Sequence, residues 1–319
     1  MTGQGAGKTV TLREILLKRE IFIMRKGFFT VFRLIGLTML HLVLFVVVAG
    51  VFSVGDAEAG QGGETAVIGL LLAFLLETAV LSLLITQARW SGWGLAGAIF
   101  VLLYGVKTVM AQMETAVFLS QTHLTPETVS RLFLIGLLVA LPFALVSVLL
   151  WGKWRTPSHL ASLQPPRWQL WAALAGLYLL LYFIFGYAIA WQNPAVRVYY
   201  GGQDWGSFGQ HMLFVLRDTP WLIPFQFVRG FLWLGFIWLL LQMLSGSRWS
   251  VALLVGITLA VLMNAQLLIT NPYMPETVRL AHLLETAPSN FLFGVVAGWL
   301  FLAPQAAVGD ELCPRYNDA

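Results

Sequence analysis

Eight apolar runs, each long enough to cross a membrane as a helix, follow one another along the chain. They cover 30–53, 66–88, 93–118, 131–152, 168–191, 221–244, 250–270 and 288–307. An α-helix needs about 20 apolar residues to cross the hydrocarbon core of a bilayer. Because backbone N–H and C=O groups find no water there, each run must pair them within itself as a helix. The sequence therefore predicts an all-α integral membrane protein with eight transmembrane helices.

Composition excludes the other broad classes of protein. The chain is 58% hydrophobic and 11% charged, against roughly 25% charged residues in soluble domains. The net charge of +4 comes from basic residues before the first apolar run, so no nucleic-acid partner is expected. The single cysteine, Cys313, excludes an intramolecular disulfide and a cysteine-based metal cage. No cofactor and no metal site are predicted.

The flanking charges predict which way the helices run. Basic residues in the N-terminal tail, at Arg89, in the 153–167 linker and at Arg248 all fall on one side of the predicted helices. Lysine and arginine are enriched in cytoplasmic loops. We therefore expect a multi-pass protein of a bacterial inner (plasma) membrane, with both termini in the cytoplasm.

A five-residue segment is nearly repeated, as TPETV at 125–129 and MPETV at 274–278. Pro126 and Pro275 suit the first position of a helix, and Glu127 and Glu276 place a negative charge near its positive end. The two copies therefore predict short extracytoplasmic helices that begin at the PETV motifs.

A second match, Arg-Trp-Ser at 89–91 and 248–250, precedes each PETV copy by one predicted crossing. We interpret the chain as two four-helix repeats. Four crossings are an even number, so both repeats enter the membrane from the same side, as in parallel repeats. The resulting organisation is a basic cytoplasmic segment 1–29, which is either a plain tail or an interfacial helix, the first repeat 30–152, the linker 153–167, the second repeat 168–307 and the cytoplasmic tail 308–319.

Polar side chains inside the predicted spans are the candidate binding residues. Each charge costs about 2.5–3.5 kcal/mol at the bilayer centre on insertion scales. The set consists of Glu77, Lys107, Glu114, Arg229, Asn264 and Gln266. Lys107 and Glu114 share one face of an ideal α-helix, and Glu77 is expected to pair with Lys107 or with Arg229. This set predicts a polar cavity between the repeats that opens to the outside. The alternative is that Lys107 and Arg229 extend to the interface and that Glu77 is protonated or hydrogen-bonded.

The predicted outer surface holds further polar and aromatic residues. His123, Glu127, Glu276, His282 and Glu285 are interpreted as helix caps and surface ion pairs, not as metal ligands. The longest outer loop, 193–220, contains Tyr199, Tyr200 and Trp205. Aromatic residues at this depth are typical of the interfacial belt, and docking of a membrane-protein partner is the alternative.

Three classes of function stay open. The polar cavity favours a carrier or permease-like protein that binds a small polar, ionic or lipid ligand. The alternative is a non-catalytic structural or regulatory subunit of a membrane complex. An enzyme acting on lipid is the third class, and the absence of a recognisable catalytic constellation argues against it.

Overall fold

The computed structural model describes residues 12–52, 63–119, 124–155, 163–204, 206–270 and 274–303. Within these ranges the chain is helical and forms no strand. The helices in chain order are α1 (Leu12–Val51), α2 (Gly63–Gln87), α3 (Gly92–Leu102), α4 (Ala111–Val117), α5 (Pro126–Leu150), α6 (Trp168–Phe185), α7 (Pro194–Tyr199), α8 (Phe208–Asp218), α9 (Leu222–Met243), α10 (Arg248–Asn264) and α11 (Glu276–Phe301). Two π-helical segments, Leu103–Met110 and Gly186–Ala190, follow α3 and α6, and a 3₁₀ turn, Ala265–Leu268, follows α10.

Seven of the described helical stretches are long and apolar enough to cross a membrane. They are Gly27–Val51, Ala66–Gln87, Gly92–Val117, Pro126–Leu150, Trp168–Ala190, Leu222–Met243 and Arg248–Leu268. Their bounds follow the first seven predicted runs within a few residues. The eighth predicted run, 288–307, falls on α11, which is not among the seven. Its middle carries Glu285, Pro288, Ser289 and Asn290.

The distribution of side chains is that of a protein in a bilayer. Leu138 and Leu141 on α5 are 41% and 48% exposed, whereas Glu77 and Arg229 are 0% and 2% exposed. Apolar side chains face outward because lipid solvates them, and charged side chains turn inward, where they find partners. The chain is therefore an all-α, multi-pass membrane protein.

The PETV motifs begin long helices, not the short ones that the sequence predicted. Thr125 caps α5 by accepting a hydrogen bond from the Thr128 amide at 3.2 Å, and Pro126 lies in the first turn. In α11 the cap is Pro275 itself, so the helix begins at Glu276, one residue later than the sequence predicted. Both helices continue through an internal proline, Pro142 in α5 and Pro288 in α11, because the loss of one backbone hydrogen bond is tolerated when neighbouring helices pack around it.

The N-terminal segment 1–29 was predicted as a tail or an interfacial helix. The structure begins α1 at Leu12 and continues it without a break into the first candidate span, which starts at Gly27. The C-terminal tail 308–319, together with Cys313, lies outside the described residues.

The helices pack as two groups with the same neighbour relations. In the first group, α1–α5, helix α1 packs against α2 and α5, and α5 packs against α3. In the second group, α6–α11, helix α6 packs against α9 and α11, and α11 packs against α10. The groups meet along a seam where α2 contacts α10 and its 3₁₀ turn, and α3 contacts α9.

An isolated antiparallel bridge joins corresponding points of the two groups. It pairs Ala88, just after α2, with Leu244, just after α9. The Arg89 amide donates to the Met243 carbonyl at 2.9 Å, and the Ser245 amide donates to the Gln87 carbonyl at 3.2 Å. The bridge therefore places the ends of α2 and α9 beside each other at the seam.

The starts of α3 and α10 show the register of this correspondence. Their N-cap residues are Ser91 and Ser247, and Trp93 and Trp249 follow two positions later, 74% and 60% exposed. The first Arg-Trp-Ser copy ends at its N-cap residue, Ser91, whereas the second copy begins one residue after its N-cap, Ser247. The two copies are therefore three residues out of this register.

We name the two sides of the helix bundle by their residues. The PETV face is the side where α5 and α11 begin. The Arg89 face is the opposite side, where α3 and α10 begin and where Arg89 donates to the carbonyls of Gln242 and Leu241 at 2.9 and 2.8 Å.

Glycine contacts set the closest helix packing in the second group. A Cβ atom on Gly256 of α10 would lie 2.6 Å from Val295 Cγ2 and 2.7 Å from the Phe291 carbonyl oxygen of α11. A backbone atom cannot move aside as a side chain does. Small residues are common where membrane helices approach this closely.

We expect Gly256→Ala to lower the free energy of unfolding by about 1–3 kcal/mol, the usual cost of overpacking. Gly235→Ala in α9 is the matched control, because a Cβ there meets no atom within 4 Å. Thermal unfolding of the two variants in the same detergent checks the prediction. Equal transition temperatures would contradict the close approach of α10 and α11.

Candidate functional site

The Glu77 carboxylate is buried inside the first group, where it binds Lys107. Lys107 Nζ donates to Glu77 Oε2 at 2.7 Å. His41 of α1 is fully buried beside this pair, with its Nε2 atom 3.8 Å from the same oxygen, and its ring stacks on Phe143 of α5 at 4.2 Å between centroids. A buried charge requires such a partner, since the cost of desolvation otherwise exceeds what packing returns.

The guanidinium of Arg229 is buried at the seam and binds groups from both sides of it. Arg229 Nη2 lies 3.1 Å from Glu114 Oε2 and donates to the Met110 carbonyl at 3.2 Å. Both of these partners belong to the first group. Arg229 Nη1 donates to Gln226 Oε1 at 3.0 Å, one turn away on the same helix. Arg229 is 2% exposed, whereas the Glu114 side chain is 32% exposed.

Lys107 lies within the π-helical segment Leu103–Met110, and Glu114 follows this segment in α4. The segment places the two residues on different sides of the helix. In an ideal α-helix the two residues would share a face, as the sequence predicted. The wider i→i+5 turns of the π-helix shift the angular position of every residue after them. As a result Lys107 pairs with Glu77 inside the first group, while Glu114 reaches Arg229 across the seam.

A small polar cavity, here called the seam cavity, lies beside Arg229 towards the PETV face. Its volume of about 30 Å³ is enough for one or two water molecules. The lining residues are Glu114, Tyr178, Tyr182, Phe185, Arg229, Trp233, Met263, Glu285, Thr286, Ser289 and Asn290. Of these, Glu114 comes from the first group and the rest come from the second group.

A chain of hydrogen bonds connects the seam cavity with the segment after α7. The Glu285 carboxylate, which lines the cavity, is 2.8 Å from His282 Nδ1, and His282 Nε2 is 3.0 Å from the Tyr200 hydroxyl. Burial raises the pKa of the Tyr200 phenol, so this phenol stays protonated at neutral pH. The His282 ring therefore connects the Tyr200 hydroxyl to the Glu285 carboxylate through its two nitrogen atoms.

The structure divides the six residues that the sequence placed in one cluster. Glu114 and Arg229 line the seam cavity, and Glu77 and Lys107 form a separate pair in the first group. Asn264 supports the cavity wall, because its Oδ1 atom accepts from the Thr286 hydroxyl. Gln266 donates to the Met263 carbonyl at 3.0 Å, close to its own position in the chain.

The predicted helix starts on the outer surface do not join this cluster. Glu127 is 73% exposed and pairs with Arg131 at 2.6 Å, one turn further along α5. Pro126, Pro275 and Glu276 are exposed at the starts of α5 and α11. Their contacts are those of helix ends, in agreement with the structural interpretation of the motif.

The outer loop 193–220, predicted as an aromatic belt or a docking surface, is largely helical in its described residues, which exclude Trp205. It forms α7 and α8, and Ser207 caps α8 by a reciprocal pair of hydrogen bonds with Gln210. The Arg197 guanidinium lies 3.3 Å from the Asp204 carboxylate. This loop reaches the seam cavity through Tyr200.

The sequence predicted Glu285 as a surface ion-pairing residue, and it did not single out Ser289, Asn290 or the tyrosines of α6. Glu285, Ser289 and Asn290 are buried and line the cavity. The spacing of four residues between Glu285 and Ser289 places these two on one helical face, and this spacing was the available signal. Tyr178 and Tyr182 gave no such signal, because both lie near the middle of an apolar span, where a tyrosine commonly packs as a large hydrophobic residue.

No protein-family model matches the chain, and no curated protein and no solved structure matches it either.

The Glu77–Lys107 pair generates a stability prediction. We expect Lys107→Met to lower the free energy of unfolding by about 3–5 kcal/mol, because it leaves the buried Glu77 carboxylate without its cation. The double variant Glu77→Gln/Lys107→Met should lose much less. Equilibrium unfolding in one detergent, with the exposed-pair variant Arg131→Gln as control, measures both. A protonated Glu77 is the competing interpretation, and it requires Lys107→Met to cost no more than Arg131→Gln.

Proposed function

We propose that the protein is a carrier or permease-like protein that binds a small polar solute in the seam cavity. The observation that supports this proposal is the cavity itself. In a chain with 11% charged residues, three charged side chains, two tyrosines and several amide or hydroxyl groups converge on one cavity. Stability alone does not explain so many polar groups, since buried ion pairs are often replaceable by apolar residues without loss of stability.

The proposal includes a duplicated architecture with eight crossings, in which α11 is the eighth. Equal packing relations in the two groups support the duplication, as does the bridge between Ala88 and Leu244. At the spacing of that bridge, Glu77 corresponds to Trp233 and Lys107 corresponds to Met263. Trp233 and Met263 line the seam cavity. Each group thus has a polar site at corresponding positions. In the first group the Glu77–Lys107 ion pair fills this site, and in the second group the site is the seam cavity.

The seam position supports transport over a purely structural role. Glu114 belongs to the first group, and the other lining residues belong to the second. Any displacement of the groups along the seam changes the cavity. At about 30 Å³ the cavity is too small for an organic solute, so the proposal requires a second, open state of the protein. In duplicated transporters, sites between repeats open through such relative movement.

The membrane orientation is part of the same proposal. The basic N-terminal residues and the basic residues of the Arg89 face favour the cytoplasmic side. The PETV face and the seam cavity then lie towards the extracytoplasmic side, and both termini are cytoplasmic.

We expect native mass spectrometry of the protein, extracted gently from its own membrane, to show a bound small molecule. Arg229→Gln should lose this molecule, because Arg229 lines the cavity. Arg131→Gln should keep it, because Arg131 pairs with Glu127 at the surface. A wild-type protein that retains no small molecule but a stoichiometric protein partner would favour the alternative, a non-catalytic subunit of a membrane complex.

We expect Cys313 to be protected from a membrane-impermeant maleimide in intact cells and labelled after the membrane is permeabilised. The matched reporter is Asp204→Cys in a Cys313→Ala background, at a side chain that is 66% exposed. It should be labelled in intact cells, because Asp204 lies between α7 and α8. Labelling of both cysteines from the same side would contradict eight crossings.

A further inference from the structure

We propose that the solute of the seam cavity is a small oxyanion, a carboxylate or a phosphate, which replaces the Glu114 carboxylate on Arg229. This inference rests on the proposed carrier function and adds the class of its substrate. In the absence of substrate, the Glu114 carboxylate occupies the anion-binding position on Arg229.

Arg229 is a fixed cation with hydrogen-bonding capacity to spare. Its guanidinium is held by Gln226 Oε1 and the Met110 carbonyl, and its Nε–H is buried without an acceptor. The side-chain amide nitrogen of Gln226 is also buried without an acceptor. A guanidinium presents five N–H groups in a planar fork that fits carboxylate and phosphate. The unused donors therefore favour a ligand rich in acceptor oxygens.

Glu114 is the member of the pair that can leave. Its side chain is 32% exposed, against 2% for Arg229. It lies on the seven-residue helix α4, next to the π-helical segment and three residues before the end of α4. When an external oxyanion takes its place, the Glu114 carboxylate can turn towards water, whereas Arg229 cannot leave the interior.

The lining holds a second carboxylate, Glu285, so an oxyanion fits the site only where the charge of Glu285 is compensated. Glu285 is already bonded to His282 at 2.8 Å. Ser289 and Asn290 contribute a hydroxyl and an amide group, which can donate hydrogen bonds to an anion. A cation would instead meet the buried charge of Arg229. Departure of the Glu114 carboxylate adds the volume of one oxyanion group to the cavity.

The test is thermal unfolding of the full chain in detergent, titrated with sodium acetate and with inorganic phosphate at constant ionic strength. Binding to the folded state alone raises the transition temperature with ligand concentration. We expect Glu114→Gln to bind at least one of these probes at least about tenfold more tightly than wild type, since the internal competitor is gone. Glu127→Gln, which removes an exposed carboxylate, should match wild type.

The dependence on Arg229 is tested in the same titration. The double variant Glu114→Gln/Arg229→Gln removes both charges of this pair, so neither is left without its partner. It should show no response to acetate or phosphate. A tenfold effect that survives in the double variant, or equal affinity in wild type and Glu114→Gln, would overturn the inference.

A third arm distinguishes a free anion from a lipid headgroup. Phosphatidylglycerol, added in the same detergent, presents the same phosphate chemistry. Stabilisation of Glu114→Gln by phosphatidylglycerol and not by acetate or phosphate would assign the site to a lipid and overturn binding of a free anion.

Failure of this inference and failure of the carrier proposal give different results. The protein could retain a neutral or cationic molecule that Arg229→Gln loses, and show no response to oxyanions. That result would support the carrier proposal and overturn the oxyanion inference. If the protein binds an oxyanion but does not carry the same anion into proteoliposomes, the anion site is supported and the carrier proposal is overturned.

Discussion

The buried charge of Arg229 is the interaction on which the arrangement of the two helix groups depends. A guanidinium inside a bilayer must be matched by acceptors, and here they come from Gln226 on its own helix, from Glu114 on α4 and from the Met110 carbonyl. Two of these three partners belong to the other group. The residue that is most costly to bury thus holds the groups together at the PETV face.

The two buried ion pairs at Glu77 and Arg229 have different mechanical consequences. The Glu77–Lys107 pair lies within one group, so it stays intact when the groups move relative to each other. The Glu114–Arg229 pair crosses the seam, so movement of the groups separates the two charges. Either another anion then takes the place of Glu114, or the charge of Arg229 stays uncompensated. This difference links the occupancy of the seam cavity to the relative position of the groups. The Ala88–Leu244 bridge lies towards the Arg89 face, where it can serve as the fixed end of that movement.

Much of the fold was predictable from hydrophobic runs, because a bilayer gives an apolar segment of sufficient length few other options. The first seven predicted spans agree with the structure for this reason. The continuous α11 was not predicted, since Pro288 looked like a boundary while its helix in fact passes through it. The π-helical segment at Leu103–Met110 also has no plain sequence signal, and it decides that Lys107 and Glu114 have different partners.

The candidate site was predictable in its charged residues and not in its geometry. Glu114 and Arg229 stood out because charge is rare in the spans. Their pairing could not be derived, because it depends on the phase shift after the π-helical segment and on how α9 packs at the seam. The match of the two PETV copies was also a misleading guide to register, since Thr125 caps α5 while Pro275 caps α11.

We propose that the seam cavity opens to the extracytoplasmic side and admits an anion. Ser289→Cys in a Cys313→Ala background, treated from that side with sulfonate-bearing and ammonium-bearing methanethiosulfonate reagents, tests it most directly. Ser147→Cys is the matched control, since Ser147 is 1% exposed on α5 and does not line the cavity. The account predicts that the cysteine at 289 reacts, faster with the sulfonate reagent, while the cysteine at 147 stays inert. Equal inertness of both cysteines, or faster reaction at 289 with the ammonium reagent, would contradict it.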